Sequence, residues 1–249
     1  MFYGLTEESK KTFNQAAKMI SEVYPGVYAN DMLICMWRNL SFTGDKLFMQ
    51  SYRSSITNKQ EESLLWRLHV LGWAAKNALN VGGDFIECGV FKGFCSAVLC
   101  KYLEFNNLTR NFYLYDTFEG LPEETSTEAE RKNWDYTHYD SEEIYNKVVE
   151  LFSEYKNVDV VRGIVPKVLE QSPLEKIAFL HIDMNSEQAE ILALDYLFDK
   201  VVPGGLIVLD DFGWSCNRNQ NIAERAFMNE RDHQVLELPT GQGVILKHG

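Results

Sequence analysis

The sequence predicts an α/β fold built on a doubly wound, mostly parallel sheet, and two features of the chain support that prediction. Between residues 84 and 209, short apolar segments alternate with segments of helical period, which is the pattern of βαβ units. The last two apolar segments are joined by Pro239-Thr-Gly-Gln-Gly243, a turn-rich link short enough for a hairpin. An antiparallel strand is therefore expected near one end of the sheet.

Composition restricts the class of protein and its partners. The chain of 249 residues is 45% hydrophobic and 24% charged, as in an ordinary soluble globular protein, and its net charge of −12 disfavours a nucleic-acid substrate. No run of 18 apolar residues predicts a membrane span, and the N-terminal residues lack the layout of a signal peptide, so a cytoplasmic location is expected. Five cysteines without a CxxC pair indicate free thiols in a reducing compartment.

The elements follow from hydrophobic period and from turn residues. Residues 1–56 are predicted to form an N-terminal helical extension, because Phe13 to Ile20 have helical spacing before Pro25-Gly26 breaks the pattern. The main domain is placed at 57–249, beginning with the capping-box pattern at Thr57. Strands are predicted at 84–88, 111–115, 158–161, 177–182, 206–209, 234–238 and 243–247, and helices at 64–80, 93–102, 141–155, 165–171, 187–199 and 218–230.

A long polar stretch at about 117–140 has no clear period and is predicted to be a loop. Its part at 123–140 is a candidate lid, which would exclude water and select the acceptor. In open sheets of this kind, ligands bind beyond the carboxyl ends of the strands. The residues that follow each predicted strand are therefore the candidates for chemistry.

The first predicted strand runs into a glycine turn that contains Glu87, Gly89 and Gly93. The spacing G-x-x-x-G lacks the middle glycine of the dinucleotide fingerprint, which disfavours a nicotinamide-dependent oxidoreductase. A carboxylate such as Glu87 suits a cation or an amine better than a phosphate, and S-adenosylmethionine carries a sulfonium and an ammonium group without a phosphate. A plain strand-turn-helix junction explains the same residues equally well.

The second predicted strand ends in Asp116, with Phe118 two residues later. An acidic residue at this place in such a fold typically bonds the hydroxyls of a ribose. Phe118 has the right chemistry to lie against an adenine face. Asp116 as a turn cap and Phe118 as a core residue remain the alternatives.

Three aspartates, Asp183, Asp210 and Asp211, follow two strands that are expected to be neighbours. Carboxylates that close would repel one another and raise each other's pKa unless a cation compensated them. Oxygen ligands favour Mg²⁺, Mn²⁺ or Ca²⁺, although one or two of the aspartates could simply cap helices. His181 is predicted to be a packed strand residue, with a role as base or ligand as the lesser option.

Aromatic side chains in the predicted loops either line a pocket or pack on the body of the domain. They are Trp134, Tyr136, Tyr139 and Trp214.

Five segments in this order, IECGVFKG, YLYDTFEGLP, FLHIDMNSE, PGGLIVLDDFG and LPTGQGVILK, resemble the macrocin O-methyltransferase (TylF-like) family. The resemblance covers about residues 57–249. Members of that family methylate hydroxyls on the sugars of macrolides and related natural products, or on saccharides of surface glycans.

The resemblance implies the class I methyltransferase fold with a seven-stranded sheet, and it implies S-adenosylmethionine and Mg²⁺ (or Mn²⁺) as cofactors. One departure concerns the segment after the fourth strand, where the family often reads H-x-D-x-D-x-Y and this chain has Asn185 and Glu187 instead. The residues assigned to the cofactor are Glu87, Gly89, Gly93, Ser96, Asp116 and Phe118, and those assigned to the metal are Asp183, Asp210 and Asp211.

The function expected from the residues and the resemblance together is metal-assisted transfer of a methyl group from S-adenosylmethionine to a sugar hydroxyl. Asp183 is expected to act as the general base and as a shared metal ligand. The expected partner is a small-molecule sugar acceptor, and a homo-oligomer is expected. Two alternatives are a metal-dependent methyltransferase of catechols or other phenols and a catalytically silent cofactor-binding module.

Overall fold

A computed structural model describes residues 6–24, 26–135, 137 and 139–249. Its centre is a seven-stranded sheet in the order β5-β4-β3-β6-β7-β9-β8, which confirms the predicted fold class. The strands pair in parallel from β5 to β7, and β9 pairs antiparallel with both β7 and β8. The predicted antiparallel hairpin therefore closes one side of the sheet. The main-sheet strands are β3 (Asp84–Cys88), β4 (Phe112–Asp116), β5 (Val158–Arg162), β6 (Ile177–Ile182), β7 (Val201–Leu209), β8 (Leu236–Glu237) and β9 (Gly243–Leu246).

Helices cover both faces of the sheet, and their apolar faces form two hydrophobic clusters with the strands. Every residue of β6 is buried, as expected for a central parallel strand. Phe85, Phe112 and Phe179 are fully buried on one face, where each ring contributes about 1.5–3 kcal/mol of burial free energy. The helices are α1 (Glu7–Val23), α2 (Lys46–Ser55), α3 (Leu65–Ala78), α4 (Phe94–Tyr102), α5 (Glu128–Asn133), α6 (Ser141–Phe152), α7 (Glu187–Leu197) and α8 (Arg218–Asn229).

The N-terminal segment contains more structure than the period of the sequence predicts. The predicted first helix is present as α1, but a two-stranded hairpin, β1 (Tyr28–Asn30) and β2 (Leu33–Cys35), follows it. The turn residues Asp31 and Met32 both have positive φ, a conformation for which Asn-Gly is the usual signal. Because the turn has Asp31-Met32 in place of Asn-Gly, the sequence gives no signal that would predict this hairpin. The domain boundary at residue 56 stays a prediction.

Three local differences from the predicted elements have simple causes. The predicted loop at 117–140 contains α5, which begins at a capping box formed by Thr127 and Glu130. The predicted helix at 165–171 is instead a short 3₁₀ turn, Lys167–Gln171, that follows Pro166. The strand predicted at 206–209 begins earlier, at Val201, with an irregular register against β6. None of these changes alters the order of the sheet.

Within the part of the chain that the structure describes, no helix combines the length and the apolar character needed to cross a bilayer. All five cysteines are free thiols.

Candidate active site

A cavity of about 780 Å³ lies at the carboxyl ends of the central strands. The strand-end residues that the sequence predicts as site residues converge there, since parallel strands end at the same edge of the sheet. Those that line the cavity are Glu87, Gly89, Asp116, Phe118, Asp183, Asp210 and Asp211. Gly93 and Ser96 do not line it: Gly93 is the residue before α4, and Ser96 is fully buried inside that helix.

The glycine turn after β3 brings two strand ends into close contact. Gly89 has φ +94°, and a Cβ atom at this position would lie 1.8 Å from the backbone oxygen of Asp183. Gly93 has φ +77°, and a Cβ there would lie 2.9 Å from the ring of Phe152. Glycine is therefore required at 89 by the approach of the neighbouring strand end, which also fixes the backbone of Asp183 beside the turn.

Asp116 connects the glycine turn to the loop after β4. One carboxylate oxygen accepts hydrogen bonds from the amides of Val90 and Phe91, each at 2.7 Å, and the other accepts from the amide of Phe118 at 2.6 Å. Asp116 thus fixes the local turn while still lining the cavity, and a carboxylate retains lone pairs for further donors. Phe118 is almost fully buried, packs against Tyr145 and lines the cavity.

Glu87 belongs to a buried network of ionisable groups. Its Oε1 lies 2.9 Å from Nδ1 of His181, and its Oε2 accepts a hydrogen bond from the Ser96 hydroxyl. Nε2 of His181 lies 3.4 Å from Oδ1 of Asp210. Burial alone would lower the pKa of His181, but its contacts with Asp210 and Glu87 raise that pKa to about 10. The histidine predicted to be a packed strand residue is fully buried, with one ring nitrogen facing Glu87 and the other facing Asp210.

The three predicted aspartates are close together, and their environments differ. Burial, together with the charges of Asp210 and Asp211, raises the pKa of Asp183 well above its usual range. Burial and the Asp210 charge raise the pKa of Asp211 to about 7. Burial would also raise the pKa of Asp210, but Arg67 and His181 hold it below its usual range. The pKa of Asp210 is therefore shifted in the opposite direction from those of Asp183 and Asp211.

Arg67 provides the positive charge that holds Asp210 ionised, and sequence reasoning missed it. The side chain projects from the first turn of α3 and is 5% exposed. Its Nη1 donates to the backbone oxygen of Asp210 at 3.0 Å and to that residue's Oδ2, and it lies 3.6 Å from Oδ1 of Asp211. The other end of the guanidinium pairs with Asp31. A cation does compensate these carboxylates, and in this structure it is an arginine.

The residues at this edge also fit a divalent cation. Ligand atoms of His181, Asp183 and Asp210 lie within 4.8 Å of one another, and Asp211 faces the same cavity. No side-chain hydrogen bond to the Asp183 carboxylate occurs among the residues that the structure describes. Asn185 also lines the cavity, and its buried Oδ1 has no hydrogen-bond partner in that same part of the chain. Hard oxygen donors without partners are suited to Mg²⁺ or Mn²⁺.

A second pair of carboxyl groups lies behind the loop that carries Asp183. The fully buried Glu190 accepts hydrogen bonds from the amides of Met184 and Asn185, at 2.9 and 3.1 Å. The α8 residue Glu224 is also fully buried, and burial raises its pKa to about 7. Burial and the charge of Glu224 raise the pKa of Glu190 well above its usual range. Through these hydrogen bonds Glu190 supports the Asp183 loop from behind.

Aromatic side chains form the outer wall of the cavity. Trp134, Tyr139 and Trp214 line it, whereas Tyr136 lies outside the described residues. The ammonium group of Lys92 lies 4.2 Å from the centroid of the Tyr139 ring, which places a cation at this wall. The wall thus combines flat apolar surfaces with a positive charge.

Comparison with known proteins relates this site to a family. The family model for macrocin-O-methyltransferase (TylF) matches residues 67–237, which is more than half of the chain. The mycinamicin III 3''-O-methyltransferase of Micromonospora griseorubida is 26% identical over 166 residues, covering 59% of this chain and 62% of that protein. The 8-demethyl-8-(2,3-dimethoxy-α-L-rhamnosyl)-tetracenomycin-C 4'-O-methyltransferase of Streptomyces olivaceus is 27% identical over 158 residues, covering 59% and 60%. The matched region thus spans about three fifths of these relatives.

Solved structures share the fold. The O-methyltransferase NovP superposes with a TM-score of 0.64 at 20% identity, covering 74% of this chain and 81% of NovP. The O-methyltransferase TomG from Streptomyces achromogenes, solved in complex with S-adenosylmethionine, superposes with a TM-score of 0.54 at 11% identity, covering 98% and 100%. The sheet order and the strand-end cavity are those of a methyltransferase fold, and the family model matches more than half of the chain. The chain therefore belongs to the TylF macrocin-O-methyltransferase family.

Proposed function

We propose that this protein is an S-adenosylmethionine-dependent O-methyltransferase that acts on a sugar hydroxyl with the assistance of a divalent cation. The observation that carries the proposal is a single cavity that joins the glycine turn and Asp116 to the cluster of Asp183, Asp210 and Asp211. One end of that cavity suits a nucleoside, and the other suits a hydroxyl that must lose a proton. Membership of the TylF family supports the same reaction class.

The cofactor would occupy the end of the cavity at the glycine turn, where S-adenosylmethionine supplies a methyl group already activated by its sulfonium. Gly89 lines that end and lets the turn pack against the backbone of Asp183, and Asp116 has lone pairs that could accept hydrogen bonds from ribose hydroxyls. Phe118 presents part of its ring as an apolar surface for the base. Glu87 lines the same end, and its carboxyl oxygens could accept hydrogen bonds from an ammonium group. Gly93 and Ser96 would act indirectly, because they shape the turn and hold Glu87.

The divalent cation, Mg²⁺ or Mn²⁺, would be held by Asp183, Asp210 and Asp211, and when bound it would acidify a hydroxyl that coordinates it. Arg67 and His181 hold the pKa of Asp210 below its usual range, and Asp183 has no side-chain hydrogen bond among the described residues; both residues line the cavity. Hard carboxylate oxygens of this kind suit a hard cation.

Asp183 would accept the proton that the acceptor hydroxyl loses. Its raised pKa, caused by burial and by the neighbouring carboxylates, makes it a stronger base than an exposed aspartate. Its backbone is fixed against Gly89 and its loop is held by Glu190, so the carboxylate keeps its place relative to the cofactor end of the cavity. Such fixed orientation lowers the barrier by several kcal/mol.

The proposed acceptor is a small molecule that carries a sugar. One relative is named for methylation of a rhamnosyl-tetracenomycin, and the aromatic wall of Trp134, Tyr139 and Trp214 offers flat surfaces for a sugar ring. A cytoplasmic location and a homo-oligomeric state are proposed with it.

Methyl transfer from radiolabelled S-adenosylmethionine to a panel of acceptors tests the proposal. The panel contains glycosylated natural products, nucleotide-linked sugars and a catechol, each assayed with Mg²⁺ and with EDTA. We expect label on at least one sugar acceptor, and at least tenfold less with EDTA because the cation acidifies the hydroxyl. Labelling of the catechol alone would contradict the sugar assignment, and full activity in EDTA would contradict the metal. Cofactor binding without transfer to any acceptor would favour a silent module.

A further inference from the structure

The N-terminal hairpin delivers a carboxylate to the aspartate cluster from outside the family match, which begins at residue 67. Asp31 lies in the turn between β1 and β2 and is 4% exposed. Its Oδ2 accepts a hydrogen bond from Nε of Arg67 at 3.0 Å. Burying a carboxyl group this deeply, in a turn with positive φ, costs free energy, and a partner of opposite charge offsets part of that cost.

The hairpin is also fixed against the beginning of α3. The hydroxyl of Tyr28 accepts a hydrogen bond from the amide of Trp66 at 3.3 Å, and the two rings pack edge to face with centroids 5.3 Å apart. Trp66 directly precedes Arg67. The hairpin therefore contacts two consecutive residues of the first helical turn, and its position is coupled to the position of the arginine.

Each of the three nitrogens of the Arg67 guanidinium has its own partners. Nε faces Asp31, and Nη1 faces Asp210 and Asp211, while Nη2 donates to the backbone oxygen of Thr240 at 3.4 Å. The guanidinium is planar and rigid, so a partner on one edge determines how the other edge meets the cluster. Asp31 and the aspartate cluster therefore hold the same guanidinium through different nitrogens.

We propose that Asp31 is a positioning residue of the active site, and that the Asp31–Arg67 pair sets the affinity of the aspartate cluster for a divalent cation. The inference rests on the metal site of the proposed function. The positive charge of Arg67 repels a second cation near Asp210 and so weakens its binding. Asp31 reduces this repulsion by drawing the guanidinium towards the hairpin. In this proposal the N-terminal segment contributes a residue that positions Arg67 in the site.

Two variants are expected to change cation affinity in opposite directions. Asp31→Asn leaves Arg67 uncompensated on its hairpin edge, so we expect Mn²⁺ to bind about three- to tenfold more weakly. The double variant Asp31→Asn with Arg67→Met removes the pair without changing the net charge, so we expect Mn²⁺ to bind about three- to tenfold more tightly. A merely structural contact would weaken binding in both variants or in neither.

Electron paramagnetic resonance of free Mn²⁺, titrated into the full-length chain without acceptor, measures these affinities directly. Asp159→Asn is the matched control, because it removes the same charge from an exposed position on β5 and should leave the affinity unchanged. Circular dichroism of each variant verifies that it folds, and the double variant keeps the test usable if Asp31→Asn does not fold.

Opposite shifts of the two variants relative to the wild type would support the inference. Shifts in the same direction, or affinities within twofold of the control, would overturn the inference while the metal site of the proposed function stood. Absence of Mn²⁺ binding by the wild type and by every variant would overturn both together. Binding by the double variant alone would support the inference, since it would show that Arg67 keeps the cation out.

Discussion

Replacement of Asp183 by asparagine is expected to lower kcat by about a thousandfold, because general base catalysis contributes roughly 10²–10⁴. The amide keeps the shape of the side chain but has almost no basicity, whereas the carboxylate has a raised pKa. The backbone of Asp183, and not its carboxylate, contacts Gly89. The substitution should therefore leave the cofactor end of the cavity unaffected.

Steady-state kinetics with the sugar acceptor identified by the panel, together with calorimetric binding of S-adenosylhomocysteine, separates these two effects. We expect cofactor affinity within about threefold of the wild type, since the charge lost is at the other end of the cavity. The exposed Asp159→Asn variant should be fully active in both measurements. An Asp183→Asn protein that turns over at the wild-type rate would remove this residue from the mechanism.

Replacement of Gly89 by alanine has the second large expected effect. The added Cβ would lie 1.8 Å from the backbone oxygen of Asp183, in a backbone conformation that L side chains rarely adopt. We expect the free energy of unfolding to fall by about 3 kcal/mol, with cofactor binding lost because the turn and the Asp183 loop must move apart.

Urea denaturation followed by circular dichroism measures the stability, and calorimetry of the folded variant measures binding. Gly82→Ala is the matched control, since a Cβ there meets no atom within 4 Å, and its stability should stay within about 0.5 kcal/mol of the wild type. Equal stability and equal cofactor affinity for Gly89→Ala and Gly82→Ala would show that the close approach of the two strand ends has no functional role.

The strand ends are the part of the site that the sequence predicts best. The alternation of apolar and helical segments determines where each parallel strand ends, and parallel strands end at one edge. For that reason Asp116, Asp183, Asp210 and Asp211 line one cavity as predicted. Their roles stay proposals, because the position of a side chain at an edge does not by itself determine what it binds.

The buried charges that support those residues were missed, although each has a signal in the sequence. Arg67 lies on the same helical face as Leu64, Leu68 and Leu71, and Asp210 is 143 residues away along the chain. A charged residue on an apolar face implies a buried partner, but the period of one helix cannot say which residue that partner is.

The glutamates behind the Asp183 loop follow the same rule. Glu190 shares a face with Ala193, Leu194 and Leu197 on α7, and it is buried as they are. Glu224 shares a face with Phe227 on α8. In both cases the apolar pattern predicts the buried face, while the tertiary packing of the two helices decides that the carboxyl groups meet.

Calorimetric titration of the full-length chain with S-adenosylhomocysteine, with and without Mg²⁺, tests the central claim most directly. We predict saturable one-to-one binding in both conditions, because the glycine turn and Asp116 offer the cofactor end of the cavity independently of the aspartate cluster. Absence of binding in both conditions would contradict the claim that this cavity holds the methyl donor.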